Sequence, residues 1–446
     1  MIMYRLLCLI VFLQLCSCNS ANPYLDKINT KIENTFNSRK KNITTEPKYK
    51  VFHISNTESR LYYKVWNGMF LYKKEANKKN YKSSASLKIQ ISLIDNIDIV
   101  KHEKTIDLSK SKKKINPNTY ISGHLDLNID RGKDYLFTIS LEDNNRNYTN
   151  KITLHVDKTD KNSKENFMIL DSLENICFDN FITAEKIKIK TPNSREKIFI
   201  SSYPIDQRVS TPPYHIDTVS INMERDTVNT VFSDSMLTFE KIGLYHLQRD
   251  TTMLSATSVL KSYEGYPLIA RKENIALPLI YILQKEEIEE ILASENSKSS
   301  AEKYWLNISN GKAQTARKLI MTYYNRVEYV NRKFSNTKEG WKTDRGMLYI
   351  VFGPPSTIVK RIDQEIWIYG KENTSLPIEF VFDMVKNHLN ETEYIIKRGN
   401  SYKEIWDIAL ETWRSGNIFD EQEIIIVQEN YELEQQNRNM TQRLRF

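Results

Sequence analysis

Between Tyr49 and Asp157 the apolar residues fall on every second position. Leu87, Ile89, Ile91 and Leu93 alternate with polar neighbours, and so do Leu125, Leu127 and Ile129. Tyr135, Phe137, Ile139 and Leu141 follow, then Ile152, Leu154 and Val156, and Leu61–Leu71 adds an aromatic-rich run. Side chains point to opposite faces of a strand with period two, so each run has one buried and one wet face. Turn pairs separate the runs: Asn67-Gly68, Asp95-Asn96, Asn116-Pro117, Arg131-Gly132 and Asp143-Asn144. Short alternating strands at this spacing predict an antiparallel β-sandwich over residues 48–160.

Residues 165–280 keep β character less regularly. Ile187–Lys190, Lys197–Ser201, Thr218–Met223, Val228–Phe232 and Tyr245–Gln248 are candidate strands, broken by Pro204, Pro212, Pro213 and Pro267. This segment is expected to be a second, smaller β-rich domain. From about Gln284 the period changes. Lys285–Leu292 and Ala301–Ile308 read as helices. Ala316, Leu319 or Ile320, Tyr323, Val327, Val330 and Phe334 then form one apolar stripe of a long helix over 313–335.

The next stretch, GWKTDRGMLYIVFGPP, runs from Gly340 to Pro355. Gly340 and Gly346 bracket Trp341, Lys342, Thr343, Asp344 and Arg345. Such residues make turns, with glycine supplying positive φ. Met347–Phe352 is apolar at every position, which predicts a central strand covered on both faces. Gly353, Pro354 and Pro355 would stop it. Further strands are expected at Glu365–Tyr369, Ile378–Phe382 and Glu393–Lys397. Trp341 is expected to pack on the long helix near Tyr323 or Val327, and Asp344 to accept hydrogen bonds from turn amides. The predicted whole is α+β and multidomain: a sandwich, a second β-domain, and a helix-plus-antiparallel-sheet domain over 281–400. A C-terminal helix from Tyr402 to Arg414 and a polar tail of open order complete residues 401–446.

The Gly340–Gly346 cluster, the apolar run with Tyr349, and Gly353-Pro354-Pro355 together resemble the signature of the GWxTD-domain family. Tyr324–Phe334 before it and Ile366–Tyr369 and Phe380–Phe382 after it extend the resemblance over roughly residues 275–400. It implies an exported bacterial protein, often a lipoprotein, with β-domains ahead of the motif. It implies no established activity.

The N-terminus agrees with export. Leu6–Leu15 is an apolar run of about ten residues; as a helix it spans roughly 15 Å, half a bilayer's hydrocarbon core. It reads as the hydrophobic part of a signal peptide over 1–17. Leu15-Cys16-Ser17-Cys18 resembles a lipobox, which implies cleavage before Cys18 and acylation there. Residues 18–47 are polar and read as a tether. Of four cysteines, Cys8 and Cys16 would leave with the signal and Cys18 would be acylated. Cys177 alone remains, so no internal disulfide is expected.

Chemistry is sparse. The seven histidines show no ligand spacing, and there is no HExxH and no glycine-rich phosphate loop. No metal and no cofactor is expected. The formal net charge of +8 lies in local lysine clusters, read as solvated loops. Nucleic acid is not an expected partner; the membrane, through the anchor, and envelope proteins are. Two functions stay open. One is a non-enzymatic scaffold or accessory protein-binding lipoprotein on the periplasmic face of the outer membrane. The other is a periplasmic enzyme or glycan binder using a cleft near Trp341 to Pro355. A concave pocket with convergent polar groups would favour the second, and a filled core the first.

Overall fold

The computed structural model describes residues 46–443 except 77–78, 216–223, 254, 270–273, 295, 362, 372–373, 375, 377, 388 and 390. The signal peptide, Cys18, nearly all of the tether and the candidate strand Thr218–Met223 lie outside the described residues. The chain is mixed α+β and divides into two compact units. Among described residues the smaller holds 274–325 and 410–418, and the larger holds the rest.

The smaller unit is helical. Helices Lys285–Ala293 and Ser297–Ile308 precede the long helix Ala313–Phe334, whose first part belongs here. Its core is aromatic: Tyr323 meets Trp305 and Trp413 edge-on, with ring centroids 5.4 Å away in each case. Buried phenols need acceptors. Tyr323 donates to the Pro278 carbonyl and Tyr324 to that of Ile275, each at 2.6 Å.

The larger unit begins with the sandwich. One sheet orders Lys48–His53, Glu58–Trp66 and Tyr120–Asn128; the other orders Tyr148–Asp157, Asp134–Asp143, Ala85–Leu93 and Asn96–Asp107. All pairs are antiparallel. Leu87, Ile89, Ile91, Phe137 and Ile139 fill the space between. Two further sheets follow. Lys186–Lys190 sits between Met168–Asp171 and Met236–Thr238; a five-stranded sheet includes Lys197–Tyr203, Thr227–Phe232, Gly243–Gln248 and Thr257–Lys261. Cys177 is half-buried there, and burial raises its thiol pKa, so it stays protonated at neutral pH.

A buried polar knot ties the sandwich together. His53 Nε2 donates to the Asp157 carbonyl at 3.0 Å, because a carbonyl can only accept. Lys158 donates to Ser59 Oγ at 2.9 Å, and that hydroxyl donates onward to His53 Nδ1 at 2.8 Å. A proton on Nδ1 would set two donors against each other. Burial, with Lys158 adding to it, pushes the His53 pKa down to about 4. Between about pH 6.5 and 4 the unfolded chain therefore binds the extra proton and the fold does not, so stability falls with acidification. Urea midpoints at pH 7 and pH 5 should show this loss, and His53→Gln should reduce it. An unchanged pH dependence in that variant would clear His53 of the effect.

The GWxTD-like region forms a four-stranded antiparallel sheet, ordered Thr357–Lys360, Gln364–Tyr369, Ile378–Lys386 and Thr392–Ile396. The expected central strand is a correction: Asp344–Phe352 is an α-helix. Thr343 caps it, accepting from the Gly346 amide at 3.0 Å. Asp344 sits in the first turn, and Gly353 leaves the helix with φ 85°. Met347, Leu348, Ile350, Val351 and Phe352 are all buried and Tyr349 is half-buried, so no face of this apolar run is fully open. A run apolar at every position has the same pattern as a buried strand. Phe352 reaches the sheet at Phe380 and Tyr369, with centroids 5.1 and 5.6 Å away.

The polar tail, whose order the sequence leaves open, takes a definite form. Glu421–Arg443 is helical, and its start docks through buried Ile424 and Gln428. Gln428 accepts from the Lys371 amide at 2.8 Å and donates to the Leu376 carbonyl at 3.1 Å. Two inward residues among polar ones leave little periodic signal.

Candidate functional site

The Gly340–Gly346 turn is locked from behind by the end of the long helix. Asn331 is fully buried and accepts the Trp341 amide at 2.9 Å, while Ser335 Oγ accepts the Gly340 amide at 2.9 Å. Asn331 lies one turn beyond Val327, so the tie to the helix passes through this side chain. The Trp341 ring is buried, and its N–H donates to Glu339 at 3.2 Å. Lys342 is buried and bonded to Gln207 at 2.7 Å and Glu339 at 2.9 Å, and its carbonyl accepts from the Ser210 amide and hydroxyl.

The two glycines serve close approach, which corrects the expectation of positive φ. A Cβ on Gly340 would stand 1.9 Å from the Val330 carbonyl oxygen, and one on Gly346 would stand 1.9 Å from the Gly340 oxygen. Both obstacles are backbone and cannot swing aside. Gly353 does have positive φ, and a Cβ there would meet Arg326 at 2.8 Å. Arg326 donates to the carbonyls of Ile350, Val351 and Phe419, satisfying the end of the Asp344–Phe352 helix.

Asp344 also departs from expectation. Its carboxylate accepts from the Ile396 amide at 2.9 Å and from Arg398 at 2.7 Å. Arg398 in turn donates to the carbonyls of Thr211 and Pro212. The corner thus joins three distant segments: the helix start, the edge strand Thr392–Ile396 and the loop at 208–212. Arg345 lies 3.4 Å over the Tyr394 ring and 4.6 Å from that of Phe334, and pairs with Glu365 at 3.4 Å.

These residues face a cleft of about 510 Å³. Thr343, Asp344 and Arg345 line it, together with Arg208, Lys338, Glu393 and Arg398, which sequence reasoning did not single out. Gly340, Trp341 and Gly346 do not line it; they hold the turn from behind. Gly353, Pro354 and Pro355 lie at the far end of the helix, with Pro354 exposed. Among the described residues no group of three or more His, Cys, Asp or Glu could share a metal ion, and no helix is long and apolar enough to cross a membrane.

The fold and corner define a class: an α+β domain whose capped, buried helix supports a polar cleft at a sheet edge. Residues 243–415 match the GWxTD domain, so the chain carries that domain and reaches it through β-sheets. The match starts at Gly243, within the β-rich segment, ahead of the region that the motif residues suggested. No curated protein matches the chain.

Proposed function

We propose that the chain is a membrane-anchored envelope lipoprotein that acts as a non-enzymatic accessory, binding partner proteins through the cleft beside Thr343–Arg345. The cleft carries the reading. It is concave, it takes residues from three segments, and most of its charges are already satisfied in pairs. Asp344 is held by Arg398 and Asp206 holds Arg208 through both oxygens. A cation held against a carboxylate favours its charged form and makes it a poorer proton acceptor. Leu15-Cys16-Ser17-Cys18 supports the anchor, and the polar segment after it supports a tether reaching the periplasm from the outer membrane.

Mass spectrometry of the mature N-terminus should find acylated Cys18, and the native protein drawn from detergent-solubilised envelopes should bring defined partners. An uncleaved Met1 would sink the anchor. A chain purified without companions from every growth condition would sink the accessory role. The same cleft supports a second reading, a periplasmic enzyme or glycan binder, because Tyr394 and Phe334 put aromatic rings beside its polar groups. That reading requires an activity which Asp344→Asn removes while the protein stays folded and keeps its partners.

A further inference from the structure

Lys338 stands apart from the other charges in the cleft. It lies between the long helix and the Gly340–Gly346 turn, and it lines the cleft with Arg208, Arg345 and Arg398. Among the described residues its ammonium has no hydrogen bond and no ion pair. Three carboxylates are near enough to act on it: Asp206, Asp344 and Glu393. Two of them are paired with arginines, and the third is held by neutral donors on one oxygen. Asp206 takes Arg208 at 2.8 Å, and Asp344 takes Ile396 and Arg398. Glu393 accepts from Asn387 at 2.7 Å and Thr337 at 3.2 Å. Burial lowers the Lys338 pKa, and these three acids oppose the shift.

A second polar group agrees. Thr211 lines the same cleft, and its hydroxyl is shielded from solvent without a hydrogen-bond partner. Buried donors without partners are costly unless something else satisfies them. The lining carries four basic side chains against two acidic ones, Asp344 and Glu393. Arg208, Arg345 and Arg398 already have carboxylate partners. Lys338 alone of the four has no ion pair among the described residues, and because Glu393 beside it meets only neutral donors the cleft holds no surplus positive charge, which disfavours a doubly charged phosphate.

The position of the cleft favours a peptide as the carrier of that charge. Glu393, Tyr394 and Ile395 lie on Thr392–Ile396, the edge strand of its sheet. Asp344 holds the Ile396 amide and Asn336 the Thr392 carbonyl, so the main-chain groups between them are what this edge can offer an extended segment. Val209, Ile395 and Phe334 add apolar wall beside it.

We propose that this cleft docks a carboxylate of an extended protein segment, with Lys338 as its ion-pair partner and Thr211 as a further donor. The proposal rests on the protein-binding reading above and names what the partner presents. The carboxylate belongs either to an acidic side chain or to a chain terminus, and the chemistry is the same for both.

The test uses the full chain in detergent micelles with its lysines carrying ¹³C-methyl groups, the Lys338 signal being assigned from Lys338→Gln. Four probes are titrated: acetyl-Val-Glu-Val amide, acetyl-Val-Gln-Val amide, acetyl-Val-Gln-Val with a free C-terminus, and sodium phosphate. The Lys338 signal should shift saturably with the Glu peptide, the free-terminus peptide or both, and whichever binds identifies the source. The Gln amide should bind about tenfold more weakly, the loss of one charge-assisted contact. Lys338→Gln should remove the difference between the Glu and Gln peptides, Thr211→Val should weaken carboxylate binding, and exposed Lys151→Gln should leave it unchanged. Equal binding of the Glu and Gln amides, or phosphate binding as tightly as either acid, overturns the proposal. Carboxylate selectivity that survives in a folded Lys338→Gln protein overturns it too. Should partner capture from envelopes survive while carboxylate selectivity is missing, only this proposal falls. Selective peptide binding without any captured partner would instead undo the accessory reading.

Discussion

Replacing Asp344 with alanine should destabilise the GWxTD domain by about 3–5 kcal/mol, the usual cost of stranding one partner of a buried ion pair. The side chain is 5% exposed and its partner Arg398 14%. A carboxylate bonded only to turn amides would cost less, about 1–3 kcal/mol, because only neutral donors would lose a partner. Here the alanine leaves the Arg398 guanidinium without its carboxylate, and it frees the Ile396 amide. Asp344→Asn keeps the shape and an acceptor for Ile396, so it should cost less than alanine. Amide exchange across residues 392–399 reads the effect locally, which matters in a chain whose several domains need not unfold together. Arg398→Met on the Asp344→Ala background should cost much less than on the native one, since the two side chains share one interaction. Fully additive losses, or an unchanged exchange rate at Ile396 in the alanine variant, would refute this account of the corner.

The parts that sequence made legible are those where burial writes a period. Leu87, Ile89 and Ile91 alternate because one face of their strand is covered, and each is at most 1% exposed. Neighbouring Asn96–Asp107 is a strand of the same sheet, yet it is exposed almost throughout. An edge strand with two wet faces has no alternation to read. Met347–Phe352 misleads for the opposite reason, because burial at nearly every position erases the difference between periods of 2 and 3.6. The local signs of a helix were present: Thr343 as cap, Asp344 in the first turn, and Gly353 with prolines after the end. The cleft was half legible. Thr343, Asp344 and Arg345 are marked by their motif. Lys338, Thr211 and Arg398 carry no mark, because only the fold brings them together. Ile396 and Arg398 stand 52 and 54 residues from the aspartate they bind.

Trp341→Ala should also cost about 3–5 kcal/mol, the range for removing a buried aromatic and leaving a cavity. The ring is 2% exposed, so little solvent can fill the space. Truncation removes the bond to Glu339 and the contact with the Lys342 ammonium, 5.3 Å from the ring centroid. The backbone bond to Asn331 can persist, which separates packing from hydrogen bonding. Trp341→Phe keeps much of the volume and should recover a large part of the loss. The consequence extends to the cleft, since Trp341 stands two residues before the Thr343 cap and Gly340 fits against Val330 with no room to shift. A loosened turn should therefore raise amide exchange through the Asp344–Phe352 helix, not only at residue 341. Iodide should quench the native protein and Trp341→Phe alike, because a shielded ring contributes no accessible emission. If alanine leaves exchange in that helix unchanged, or if Trp341→Phe removes a readily quenched component, Trp341 is not the packing anchor of the corner. It would then belong on the open face of the cleft.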